Sequence, residues 1–361
     1  MSAVLERWSL TRFTLPPTRP IGDWRSEIEV RSVAVLELKT SSGAVGLGFF
    51  GAIYGPLPSL AELERRFEAA VAPGIVGQNP FALTYRVERP RGRHDGRTIF
   101  DEAVDHALWD LQGKELGLPL HRLLGGVDGR VRAYASGLDY PLATEDACAF
   151  FAGAVADGFR AVKAKVGFPD LGYELERLEA IAAAVGPGVT LMLDANEAWS
   201  PKEAVRRLHA YRDRGLDVYW IEDPCLRSDL DGLAEVSRAV PFAHVNAGEY
   251  LELDGLRALL ERRAVDILNT HTDFSSSLAA ARLAAAYGIP LSMGNSLADV
   301  CVHAAAALPE CDWLELSCLD YGRLVDEPVR VEDGFAVAAE RPGHGLTLAD
   351  RALSEYVDAG A

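Results

Sequence analysis

Leu191-Met192-Leu193-Asp194-Ala195-Asn196, Tyr219-Trp220-Ile221-Glu222-Asp223-Pro224 and Asn246-Ala247-Gly248-Glu249 share one plan: a short apolar run that stops on an acid. Each acid follows the previous one by the length of a strand plus a helix. Further out, apolar runs of the same kind occupy residues 131–136, 161–166, 189–194, 218–222, 243–248, 265–269, 289–293 and 313–316, eight in all. Alanine-rich amphipathic stretches such as 175–184, 202–211 and 278–287 separate them. Successive strands must then be parallel and joined by helical crossovers. Eight such units close into a barrel, with an open doubly wound sheet as the competing arrangement.

Ahead of this pattern, alternating apolar residues over 27–39, a turn at Ser42-Gly43 and helical periodicity over 60–70 and 98–116 describe an α+β companion domain. Leu124-Gly125-Gly126 and Asp128-Gly129 close it. After Asp320 the alternation stops, and Gly334, Pro342, Gly343 and Gly345 break up a tail. A chain of 361 residues, 49% apolar and 25% charged, is large enough for a barrel with a smaller companion. The formal charge of −17 disfavours nucleic acid and anionic membrane surfaces as partners. Five cysteines without a C-x-x-C pair point to thiols in a reducing compartment. With neither a signal-peptide pattern nor an apolar run near ~20 residues, a cytoplasmic location is expected.

Val162-Lys163-Ala164-Lys165-Val166 sets two lysines one residue apart on a strand, so both project from the same face. Mutual repulsion lowers the proton affinity of one, pointing to a lysine that is neutral near pH ~7 and acts as a general base. A solvated edge strand is the alternative. Asp194, Glu222 and Glu249 end the third, fourth and fifth strands, and Lys165 lies at the same level on the second. Barrel active sites sit at the C-terminal ends of strands, where three converging carboxylates repel unless a cation holds them. Oxygen donors with room for water suit Mg²⁺. Any one of these acids alone reads more readily as a helix cap or an ion pair; their shared level argues for a site.

These motifs, together with Leu108-Trp109-Asp110-Leu111-Gln112-Gly113-Lys114 and Leu123-Leu124-Gly125-Gly126, resemble the enolase superfamily, in its mandelate racemase and muconate lactonizing branch, over nearly the whole chain. The resemblance implies a modified (β/α)7β TIM-type barrel under an α+β capping domain built from both termini. Residues 1–127 would form the cap, 128–320 the barrel, and 321–361 a tail returning to the cap. It further implies Mg²⁺ on Asp194, Glu222 and Glu249, and Lys165 as acid/base. Lys163 would tune Lys165 and touch the substrate carboxylate, Glu315 would assist there electrophilically, and the protein would be a homo-oligomer. The chemistry is coherent, since an α-proton beside a carboxylate is too weakly acidic for an amine unless a cation stabilises the developing enediolate. A lysine or histidine base with Mg²⁺ is the known mode of this superfamily.

Two departures bear on the reaction. The seventh strand ends Leu291-Ser292-Met293-Gly294-Asn295-Ser296, without the histidine of the mandelate racemase group. The sixth ends Leu268-Asn269-Thr270-His271-Thr272-Asp273, without the lysine of the muconate lactonizing group. His271, with Asp273 as a partner, is the candidate second catalytic group; a polar loop histidine is the plainer reading. Syn elimination of water needs one lysine and the metal, whereas inversion needs two groups on opposite faces. The expected function is therefore Mg²⁺-dependent dehydration of a small hydroxy acid. A racemase, epimerase or cycloisomerase on the same scaffold is the second reading, and a non-catalytic carboxylate-binding protein the third.

Gly46-Leu47-Gly48-Phe49-Phe50-Gly51 fits a dinucleotide-binding pattern, but no helix opens at its end and no parallel strand follows, so nicotinamide and flavin are excluded. This segment and residues 16–25 carry Trp24, Phe49, Phe50, Ile53 and Tyr54 beside Arg19 and Arg25. Trp24, Phe50 and Tyr54, with Asn196, are the expected substrate contacts. They suit a compact carboxylate with an apolar or amine-bearing portion.

Overall fold

The computed structural model describes residues 3–52, 55–87, 98–270, 273–294, 297–317, 319 and 321–358. Strands β1 (Leu5–Leu15), β2 (Arg31–Thr40) and β3 (Val45–Ala52) form an antiparallel sheet. The helix Asp101–Leu116 lies against it, and its residues 103–113 are buried. The contact is close: a Cβ added to Gly48 would run into the carbonyl oxygen of Ala103, and one added to Gly46 into that of Ala107. The first two glycines of the dinucleotide-like pattern thus admit a helix backbone, not a pyrophosphate.

Eight parallel strands follow: β4 (Arg130–Ser136), β5 (Ala161–Lys165), β6 (Thr190–Asp194), β7 (Val218–Glu222), β8 (His244–Ala247), β9 (Ile267–Thr270), β10 (Leu291–Met293) and β11 (Cys311–Ser317). Neighbours pair in sequence order and β11 pairs with β4, so the barrel is closed and the doubly wound alternative falls. Helices fill each of the seven intervals, with none of that kind after β11 among the described residues, which is the (β/α)7β pattern. Several begin on side-chain caps that accept backbone N–H groups: Asp170, Ser200 (with Pro201 next), Asp229 and Asp273.

The barrel interior is layered. Tyr134, Met192, Trp220, Ile267 and Trp313 fill the lower part, with Tyr134 edge-on to Trp220 at 5.2 Å. Directly above, polar side chains replace them: Lys163 lies 5.3 Å over the Tyr134 ring. The apolar plug excludes water from beneath the site and raises the strength of every charge contact above it.

The tail touches both parts of the molecule. Strands β12 (Arg330–Glu332) and β13 (Phe335–Val337) form a hairpin that adds antiparallel to β4. The chain then passes under the cap helix, where His344 N–H donates to Asp110 at 3.0 Å, and ends beside β1, where Thr14 N–H donates to Tyr356 O at 2.9 Å.

Candidate active site

Lys165 on β5, Asp194 on β6 and Glu222 on β7 are successive register partners, so the barrel lays them in one row across neighbouring strand ends. Glu249 joins from the turn after β8 and Glu315 from β11. All are buried, along with Lys163. Lys163 Nζ lies 2.7 Å from Glu222, 3.2 Å from Glu315 and 3.6 Å from Asp194. Lys165 Nζ lies 2.5 Å from Asp194 and donates to Asn196 Oδ1 at 2.7 Å. Asn269 donates to the other oxygen of Glu222 at 3.2 Å.

The lysines therefore do not discharge each other as their spacing predicts. Burial acts to neutralise Lys165, but the Asp194 carboxylate outweighs both burial and Lys163, and its pKa is raised. Burial likewise opposes the charge on Lys163, which Glu222 and Glu315 restore. On the acid side, burial would protonate Asp194, yet Lys165 and Lys163 hold it down to about 2. Glu222 and Glu249 go the other way: burial raises both, and neighbouring acids add to it. One cation apiece, Lys163 for Glu222 and Arg227 for Glu249, does not offset burial together with the neighbouring acids. Buried, oxygen-only donors with this surplus of negative charge are the chemistry a hard divalent cation satisfies.

The mouth is strained where the site is built. Among the described non-glycine residues with positive φ, Leu138 (44°) follows β4, Asn196 (43°) and Glu197 (66°) follow β6, Asp223 (40°) follows β7, and Tyr250 (63°) follows β8. Such conformations are costly for these side chains and concentrate where loops must aim groups inward.

Placement of the expected substrate contacts is mixed. Asn196 lines the cleft with Lys163, Lys165, Asp194, Glu249 and Glu315. Trp24 is 42% exposed, and its indole N–H donates to the Asn196 carbonyl at 2.9 Å, which sets it at the rim. Phe50 corrects the sequence reading: its side chain points into the cap core, 5.3 Å edge-on to Phe100, and is 2% exposed. The reason is strand parity, since β3 turns Phe50 toward the cap helix. Tyr54 and His271 lie outside the described residues, while Asp273 caps the following helix by accepting from Ser276 N–H at 2.6 Å.

Two contributors, Asp139 and Arg227, escape sequence reasoning. Asp139 is fully buried, accepts from the Lys165 backbone N–H at 2.9 Å and pairs with Arg177 at 3.1 Å. Arg227 contacts Asp223, Glu197 and Glu249. No spacing rule signals either, because each is brought in by loop conformation. Arg25, which the sequence already places beside Trp24, lines the cleft.

Comparison with known proteins decides the lineage. Residues 9–125 match the mandelate racemase / muconate lactonizing enzyme N-terminal domain, and residues 146–352 match the enolase C-terminal domain-like family. The chain belongs to the enolase superfamily, in its mandelate racemase and muconate lactonizing enzyme branch. Within this superfamily it is 30% identical to the 3,6-anhydro-alpha-L-galactonate cycloisomerase of Streptomyces coelicolor, over 96% of this chain and 97% of that one. It is 28% identical to the arabinonate dehydratase of Saccharolobus solfataricus, over 93% and 95%. A solved superfamily structure from Mesorhizobium loti, provisionally named a mandelate racemase, superposes with a TM-score of 0.93 at 45% identity, covering 98% of this chain and 95% of that one. L-Talarate dehydratase from Polaromonas, complexed with Mg and L-glucarate, superposes with a TM-score of 0.85 at 25% identity over 99% and 98%.

Proposed function

We propose that this protein is a magnesium-dependent enzyme that takes the α-proton from a small hydroxy-carboxylate through Lys165 and eliminates water. The observation that carries this reading is the contact of Lys165 with Asp194 at the head of a cage of buried acids. Asp194, Glu222 and Glu249 are the residues that would hold Mg²⁺. When bound, the ion supplies positive charge at the substrate carboxylate, which makes the adjacent C–H bond acidic enough to break.

The protein supplies the remaining chemistry. Asp194 keeps Lys165 charged while the two are paired; with Asp194 serving as a ligand, Lys165 would lose its strongest reason to hold a proton and could act as the base. Asn196 keeps the amine aimed, through its 2.7 Å contact. Lys165 then takes the α-proton. The electron pair of the C–H bond enters the new double bond as the hydroxyl on the neighbouring carbon leaves as water, carrying the proton that Lys165 has taken, and the resulting enol rearranges to the 2-keto acid. Lys163, held by Glu222 and Glu315, presents a fixed positive charge to the substrate carboxylate.

Cycloisomerisation is the second reading, favoured by the cycloisomerase relative that matches along almost the full chain. We further read the protein as a cytoplasmic homo-oligomer, a location supported by the free thiols of Cys148, Cys225 and Cys311. No helix among the described residues is long and apolar enough to cross a membrane.

The test is incubation with Mg²⁺ in deuterium oxide against sugar acids, other hydroxy acids and dipeptides, followed by NMR. Formation of a 2-keto acid, abolished in Lys165→Ala by at least about 10²-fold, is the expected result. Exchange or ring opening without loss of water would replace dehydration by the isomerase reading. Silence toward all substrates, with Mg²⁺ bound, would overturn catalysis.

A further inference from the structure

We propose that Arg227 is a positioning residue that keeps Asp223 out of the cation cage and holds Glu249 in it. The inference rests on the proposed metal role of Asp194, Glu222 and Glu249.

The cage holds more acids than a three-carboxylate site needs. Glu222, Asp223 and Glu249 each place one carboxylate oxygen so that all three lie within 4.8 Å of one another. By proximity alone, Asp223 is a competitor for the cation, whereas Asp194 is drawn toward the two lysines. Asp223 is fully buried and directly follows Glu222, so it cannot discharge its need for a partner into solvent. Something must decide which acids face the ion.

Arg227 is placed to do so. Its side chain is 11% exposed. Nε donates to Asp223 Oδ2 at 2.8 Å and Nη2 lies 2.5 Å from the same oxygen. Nη2 also donates to Glu249 Oε2 at 3.2 Å, and Nη1 lies 3.1 Å from Glu197. The Arg227 backbone N–H donates to Glu197 Oε1 at 2.8 Å, fixing the base of the side chain. One guanidinium thus ties together the turns after β6, β7 and β8, each of which carries a positive-φ residue. Its planar fork suits donation to several carboxylates at once, which an ammonium could not reproduce. Arg227 engages Asp223 at Oδ2 and Glu249 at Oε2, so each carboxylate keeps its second oxygen outside this grip. Without Arg227, two buried carboxylates lose their counter-charge, and Asp223 is released next to Glu222.

The experiment is titration with Mg²⁺ alone by isothermal calorimetry, on the wild type, R227Q and R227Q/D223N, each checked for fold by circular dichroism. R227Q is expected to weaken Mg²⁺ binding by about 10- to 100-fold, as removal of outer partners of metal ligands does. R227Q/D223N is expected to recover most of that loss, because the released competitor is then uncharged; a purely structural arginine would show no such rescue. Should R227Q not fold, R227K against R227K/D223N makes the same comparison. A double variant as weak as the single one, or a single variant that binds more tightly than wild type, overturns the proposal. A wild type that binds no Mg²⁺ overturns instead the metal site on which it rests.

Discussion

Lys163 shows how much of the site's balance one side chain carries. It sits among Glu222, Glu315 and Asp194 with 2% of its side chain exposed, so its removal takes a buried counter-charge from Glu222 and Glu315, while Asp194 keeps Lys165. Breaking a buried pair in this way costs about 3–5 kcal/mol. Lys163→Met should therefore lower stability in urea by about that amount in the presence of a chelator, and by clearly less in excess Mg²⁺, since a bound cation stabilises the fold by mass action. An equal loss in both conditions would mean that the acids do not share a cation. Asp194→Asn tests the complementary point. It removes a proposed ligand and the anion that keeps Lys165 charged, so Mg²⁺ affinity by calorimetry should fall by more than about tenfold. At this scale, Lys163, Lys165, Asp194, Glu222 and Glu249 were legible as candidates because strand alternation and strand-end placement act locally. Their charge states were not. Lys165 was read as discharged by Lys163, and the Asp194 contact reverses the sign.

At the scale of elements, the cap helix Asp101–Leu116 and strand β3 are pressed together through Gly46 and Gly48. Gly48→Ala would drive a methyl into the Ala103 carbonyl, and neither backbone can yield without separating helix from sheet. A loss of about 1–3 kcal/mol is expected from overpacking of this kind. Its measure is the urea midpoint, and an unchanged midpoint would show that the interface can open. The same helix grips the barrel: Asp105 accepts from Phe274 N–H at 2.7 Å, and Trp109 donates to Ser275 at 3.0 Å. Damage at Gly48 should accordingly reach the loop after β9, where the second catalytic group was sought. Barrel strands and helices were readable from periodicity to within a few residues. Phe50 was not, because a strand packed on both sides shows no polar face by which to orient it.

At the scale of the whole molecule, three buried histidines join cap, barrel and tail. The His121 N–H donates to His303 Nδ1 at 3.3 Å, and His303 Nε2 faces the His344 carbonyl at 3.1 Å. Burial, reinforced by His344 and His121, pushes His303 down to about 3. In the unfolded chain it takes up a proton near pH ~6.5. Below that pH the unfolded state binds the extra proton, so stability falls as pH drops from ~6.5 toward ~3 and is unaffected above ~6.5. His303→Gln should reduce the acid-side slope by up to about 1.4 kcal/mol per pH unit in that window. Parallel slopes for the two proteins in urea titrations would refute the assignment.

The amino-acid sequence by itself determined the alternation of strands and helices, the count of eight strands and the level at which Lys165, Asp194 and Glu222 stand, because these follow from side-chain period and chain connectivity; closure rests on the pairing of β11 with β4. Only the tertiary structure decided which groups share charge: Lys165 with Asp194, Lys163 with Glu222, and Arg227 with Asp223 and Glu249. The physical reason is that direction along a strand is a local property, whereas electrostatic partnership depends on distances of a few ångströms set by loops that meet across the barrel mouth.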